Sequence, residues 1–256
     1  LLARCVGACE PELGIGTWTC ASTPNPAGPV DAGVVLPLTD PVASPWSTGF
    51  EDGFCGYRAA RGFCYTNSGA SSEITTERSH SGQRSAKFSV VGTDGGDGLQ
   101  ARCVREGTLP QDAYYGAWYY VPAFAANTDD WNLIHFQTGD QSSLHKLWDV
   151  SLGSTNDGGL YLYLFDFLRG MTRIPAPIVK IPIGSWFHVE FHLFRAADTA
   201  GAFGLYQDGA PLIEKSGIST DDGQIGQFYV GNLADALTPP ESTVYVDDVS
   251  ISASLQ

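Results

Sequence analysis

The sequence is poor in charge and in helix-forming side chains. It has a single Met, and of 256 residues 14 are Lys or Arg, 28 are Asp or Glu, and charged residues make up 16%. Long amphipathic helices draw on Leu, Met, Glu, Lys and Arg, so this shortage argues against a helical body. No stretch approaches the ~20 apolar residues of a membrane span. No basic segment leads into an apolar core, so the chain reads as mature and soluble. A formal net charge of −14 repels phosphate backbones and anionic lipid, which sets nucleic acid aside as a partner. Cysteine is absent after Cys103. The six present, Cys5, Cys9, Cys20, Cys55, Cys64 and Cys103, include no second Cys or His pair at finger-like spacing, so disulfides are expected rather than zinc. Disulfides imply an oxidising compartment, hence a secreted or cell-surface protein. A Gly-x-Ser-x-Gly elbow, a Walker loop and a dinucleotide fingerprint are all missing.

What is present is a long series of short runs rich in Val, Ile, Thr, Tyr, Phe and Trp, separated by turn residues such as Asp94-Gly95-Gly96-Asp97-Gly98, Asn156-Asp157-Gly158-Gly159, Gln207-Asp208-Gly209 and Asp221-Asp222-Gly223. More than ten strand-like segments without intervening helical periods predict an all-β, antiparallel two-sheet sandwich. With 43% hydrophobic residues, the length suits one domain over residues 47–256. Residues 1–46, with three cysteines and the segment Thr23-Pro24-Asn25-Pro26-Ala27-Gly28-Pro29, read as an extended Pro-rich arm or linker, with self-association as one use for it.

Several motifs resemble those of the concanavalin A-like (LamG-like) jelly rolls, a group spanning carbohydrate-binding modules, glycosidases and polysaccharide lyases. They are Phe50-Glu51-Asp52-Gly53, Ser79-His80-Ser81-Gly82-Gln83-Arg84-Ser85, Tyr114-Tyr115-Gly116-Ala117-Trp118-Tyr119-Tyr120, Trp186-Phe187-His188-Val189-Glu190-Phe191 and Tyr245-Val246-Asp247-Asp248-Val249. The resemblance covers residues 50–252. It implies a jelly roll whose first and last strands are neighbours. It also implies a structural Ca2+ held by Glu51 and Asp247, with Asp52 or Asp248 as alternatives and carbonyls near Ser81 to Arg84 completing the shell. Strand alternation turns Asp247 and Asp248 to opposite faces, so only one is expected to reach a given ion.

Alternation also selects candidates for recognition, because residues two apart share a sheet face. His135 and Gln137 share one, as do Tyr161 and Tyr163; Trp186, His188, Glu190 and His192 form a row opposite the apolar Phe187, Val189, Phe191 and Leu193. Flat rings beside amides, imidazoles and carboxylates suit sugars, which present apolar ring faces edged by hydroxyls. A carbohydrate-binding or surface-adhesion protein is therefore the first expectation, with Trp148, Tyr161, Tyr163, Glu190 and His192 as the glycan contacts. The alternative implied by the resemblance is a lyase acting by β-elimination on a uronate polymer, with His135, Gln137 and Tyr161 as catalytic residues. A surface-assembly subunit joined through its arm is a third. The alternate-acid cluster of jelly-roll glycosidases is absent, so hydrolysis ranks below these.

Overall fold

A computed structural model describes residues 10–11, 18–19, 41–58, 62–67, 69–92, 98–140 and 142–256. Most of the arm expected over residues 1–46, with Cys5, Cys9 and Cys20, lies outside the described residues. The described body is two antiparallel sheets packed face to face. Across the first run the strands Met171–Arg173, Leu160–Asp166, Leu144–Ser154, Trp131–Gly139, Ile225–Ala234, Leu99–Gly107 and Gly62–Thr66. Across the second run Ala210–Ser216, Ala202–Gln207, Trp186–Phe194, Asp112–Tyr120, Glu241–Ser252, Ser85–Val91 and Ala70–Thr75.

Period-two alternation builds the core. Phe136 and Val150 of the first sheet and Tyr115, Phe187 and Phe191 of the second are fully buried, and Tyr115 meets Phe136 edge-on at 5.0 Å. A polar tie crosses the same interior: Asn232 accepts from the Trp131 indole at 3.1 Å and donates to the Ser242 hydroxyl at 2.9 Å. Cys64 and Cys103, directly opposed on neighbouring strands of the first sheet, form a disulfide, and Cys55 is also disulfide-bonded.

The two ends of the domain lie side by side: Thr48, Ser47 and Trp46 pair with Val249, Ser250 and Ile251. Residues 41–46, read as arm from their prolines, belong to this body. Val42 is buried and its N–H reaches the Thr108 carbonyl at 2.9 Å.

The resemblance placed calcium at this junction, between Glu51 and Asp247. Glu51 Oε1 accepts the N–H groups of Gln83 at 2.8 Å and Arg84 at 2.9 Å, so the loop turns amides rather than carbonyls toward it. Asp247, fully buried, accepts from the N–H groups of His80 at 2.8 Å and Ser81 at 3.2 Å, and Asp248 takes the Ser81 hydroxyl at 2.8 Å and His80 Nδ1 at 2.7 Å. Both aspartates therefore serve one loop, against the alternation expected. A register shift between Asp247 and Ser250, with Asp248 at φ 43°, is the cause. Hard carboxylate oxygens suit calcium chemically, but these point at hydrogen-bond donors, an arrangement that fits an amide clamp better than an ion. Among the described residues no three His, Cys, Asp or Glu side chains stand where they would share a metal.

Candidate functional site

Because Ile134 and Phe136 enter the core, His135 faces out of the first sheet, and Gln137 follows two residues on. Register then decides their neighbours: His135 lies opposite Asp149 on one side and Tyr229 on the other, and Gln137 lies opposite Gln227. His135 Nδ1 makes a short hydrogen bond to Asp149 Oδ1. A carboxylate only accepts, so Nδ1 carries the proton and Nε2 is left with a lone pair; Nε2 has no hydrogen-bond partner among the described residues. Burial holds the His135 pKa below the ordinary imidazole value despite the Asp149 charge, so the ring is neutral near pH 7.

Tyr229 presents its ring edge-on to His135 at 5.0 Å between centroids. Its hydroxyl donates to Gln227 Oε1, and Gln227 Nε2 in turn donates to Glu106 Oε2 at 2.9 Å. Burial raises the Tyr229 pKa and keeps the phenol protonated. The Arg102 guanidinium sits 5.6 Å from the Tyr229 ring and donates to Asn132 Oδ1, whose amide is fixed on the Ile134 carbonyl at 2.8 Å.

On the other side of His135 a cavity of about 370 Å³ opens, lined by Asp129, Asp130, Lys146, Asp149, Tyr163 and Phe167 among others. Lys146 Nζ lies 5.5 Å over the Phe167 ring. Burial, reinforced by the Asp149 charge, pushes the Asp130 carboxyl up to about 6. Tyr161 faces the same way as Tyr163, with ring centroids 6.4 Å apart, but its ring lies flat on Gly153. A Cβ there would come within 2.4 Å of Tyr161 Cζ, so this strand position accepts only glycine while the ring keeps its place.

His135, Gln137, Tyr161 and Tyr163 are thus brought to one face. Trp148 is not. Its side chain is fully buried between the sheets, 4.8 Å from Phe203 and 5.8 Å from Phe191, with its N–H on the Thr220 carbonyl at 2.8 Å. Trp148 immediately precedes the outward-facing Asp149, so alternation turns it inward; the sequence-based assignment of Trp148 as a glycan contact is corrected here. Glu190 and His192 also lie elsewhere, on the outer face of the second sheet at the opposite side of the molecule. There His192 stacks on Tyr114 at 4.3 Å and bonds to Asp112 at 2.7 Å. Alternation groups residues within a strand but does not say which sheet the strand joins. Asp149, Tyr229, Gln227 and Arg102 escaped the sequence reading for that reason, although the alternation of Gln227, Tyr229 and Gly231 was visible.

Glu190 is nearly fully buried, and burial pushes its carboxyl up to about 7, opposed only by the Gln256 N–H at 3.1 Å. A carboxyl whose folded pKa exceeds its unfolded value stabilises below about pH 4.3, the unfolded value, and loses that contribution as pH rises through 7. Glu190→Gln is therefore expected to narrow the fall in melting temperature between pH 5 and pH 8 by several degrees, at about 2–4 °C per kcal/mol for a domain of this size. Parallel melting curves at the two pH values check it.

No family model and no curated protein matches the chain by sequence. Solved structures do. An endo-β-1,4-glucuronan lyase from the fungus Trichoderma reesei superposes with a TM-score of 0.60 at 17% identity, over 82% of this chain and 95% of that one. The cellulose-induced protein Cip1 gives 0.57 at 20% identity over 81% and 97%. An alginate lyase from Aplysia kurodai gives 0.54 at 11% identity over 82% and 99%. At these identities the likeness shows the fold alone: a two-sheet antiparallel jelly-roll sandwich.

Proposed function

We propose that this protein is a polysaccharide lyase that cleaves a uronate polymer by β-elimination on the outer face of the first sheet. One observation carries the reading: a neutral histidine, oriented by Asp149 and with Nε2 unpaired among the described residues, stands beside a protonated tyrosine on the same face. A glycan-binding surface needs no such paired base and acid. In the step, His135 Nε2 takes the proton from C5 of the uronate. The C5–H electrons form the C4–C5 double bond, the C4–O4 bond breaks, and O4 takes the Tyr229 hydroxyl proton. Gln137, whose amide has no hydrogen-bond partner among the described residues, binds the uronate carboxylate and so acidifies C5. Tyr163, whose pKa burial raises so that it stays protonated, contacts the sugar rings rather than supplies the base, and Tyr161 beside it is a second ring contact. The glucuronan and alginate lyases among the structural neighbours act on uronate polymers, which supports the class of substrate. The test is the ultraviolet absorbance of the unsaturated product during incubation with uronate polymers; no absorbance from any of them removes the proposal.

The first expectation, a non-catalytic carbohydrate-binding protein, uses the same face and is the reading left if glycans bind without product. Secretion is supported by the Cys64–Cys103 disulfide; among the described residues no helix is long and apolar enough to cross a membrane. Assembly through residues 1–46 concerns a segment most of which lies outside the described residues.

Structural calcium at Glu51 and Asp247 has its own test. An amide clamp leaves the melting temperature unchanged on chelation, whereas an ion joining the two ends makes it fall by several degrees. Asp247→Asn lowers it in either case, because a carboxylate oxygen that accepts the His80 and Ser81 N–H groups is exchanged for an amide.

A further inference from the structure

The charge around His135 is lopsided. Among the described residues, the cavity beside it is lined by Asp129, Asp130, Asp149 and Asp235, and by one cation, Lys146. Lys146 makes no ion pair among the described residues, although acids line the same cavity; its ammonium lies over the Phe167 ring, which is edge-on to His135 at 6.3 Å. The other cations of this sheet are engaged: Arg169 and Arg173 both bind the buried Asp166, at 2.9 and 2.8 Å, and Lys180 binds Asp157 at 2.6 Å. Arg102 is buried under Tyr229 on the far side of His135.

A homopolymeric uronate carries a carboxylate on every ring. One ring next to His135 finds Gln137 and Lys146. Its neighbours in the cavity meet Asp129, Asp130 and Asp235 with no further cation among the described lining residues to offset them, and like charges in a partly enclosed site repel far more than in open water. An alternating chain puts an uncharged ring with hydroxyls or an acetamido group there, and these donate hydrogen bonds to carboxylates.

We infer that the substrate is a polymer in which 4-linked uronate residues alternate with uncharged sugars, with Lys146 holding the uronate and the aspartates excluding a neighbouring carboxylate. This rests on the lyase reading for the site, but binding tests it without turnover. In the His135→Ala protein, calorimetry compares hyaluronan fragments, which alternate glucuronate with N-acetylglucosamine, with glucuronan fragments of equal length.

The hyaluronan fragments are expected to bind at least about tenfold more tightly. Asp129→Asn, an exposed position, raises glucuronan affinity and does not raise hyaluronan affinity, since only glucuronan loses a repulsion there. Lys146→Met weakens hyaluronan binding and Lys146→Arg restores it. Equal or tighter glucuronan binding, no binding of hyaluronan fragments, or indifference to both Asp129→Asn and Lys146→Met overturns the inference. Absence of elimination with the binding order intact would remove the lyase reading alone.

Discussion

His135→Ala is expected to lower kcat on a uronate polymer by about 10²–10⁴, because the substitution removes the base. The protein stays folded with its melting temperature lowered by a few degrees, since the buried Asp149 carboxylate loses its partner. The ring is buried but touches the outer face only, its Nδ1 on Asp149 and its edge on Tyr229. Wild-type kcat/KM should rise with pH through a midpoint below the ordinary imidazole value of about 6.5, since burial disfavours imidazolium, and should fall only where the Tyr229 phenol ionises, above about 10. Asp149→Asn frees the imidazole to take the other tautomer, as a side-chain amide can also donate, so a loss of similar order is expected with the protein still folded. Stopped assays across pH with the two variants and wild type check all three statements. An acid limb above pH 6.5 that persists in His135→Ala would assign the base elsewhere.

Trp148→Ala is expected to have the largest effect on stability, about 3–5 kcal/mol, from the cavity left between Phe191 and Phe203 and the Thr220 carbonyl left without its N–H partner. At this size that is a fall in melting temperature of roughly 10 °C. Tyr163→Ala, on the outer face of the same sheet, should cost far less stability and show its effect on KM. Melting curves for the two variants separate a core tryptophan from a glycan-contacting one. A mild Trp148→Ala with lost glycan binding would reverse the assignment made here.

The architecture was legible because it depends on local signals. Alternation in Trp186–Phe194 placed Phe187, Val189, Phe191 and Leu193 in the core, and all four are buried. The acidic motifs at either end of the domain announced neighbouring ends. The site was legible only in part, because it is made by register between distant strands. Asp149, Tyr229 and Arg102 stand around His135 through pairings that no local pattern specifies. Alternation also fails where the backbone departs from regular pleat, and the bulge at Asp248 delivers two successive aspartates to one loop. Trp148 was misjudged from composition: a large aromatic ring beside a carboxylate looks like a sugar platform, whereas its own parity and the Asp149 that follows it put it inside.

The most direct measurement is the absorbance of unsaturated uronate during digestion of glucuronan, alginate and hyaluronan by wild type, His135→Ala and Tyr229→Phe. The account requires product from at least one polymer with wild type and a loss of about 10² or more in both variants. Product formation undiminished in His135→Ala, or bound polymer with no product from the wild-type protein, would contradict it.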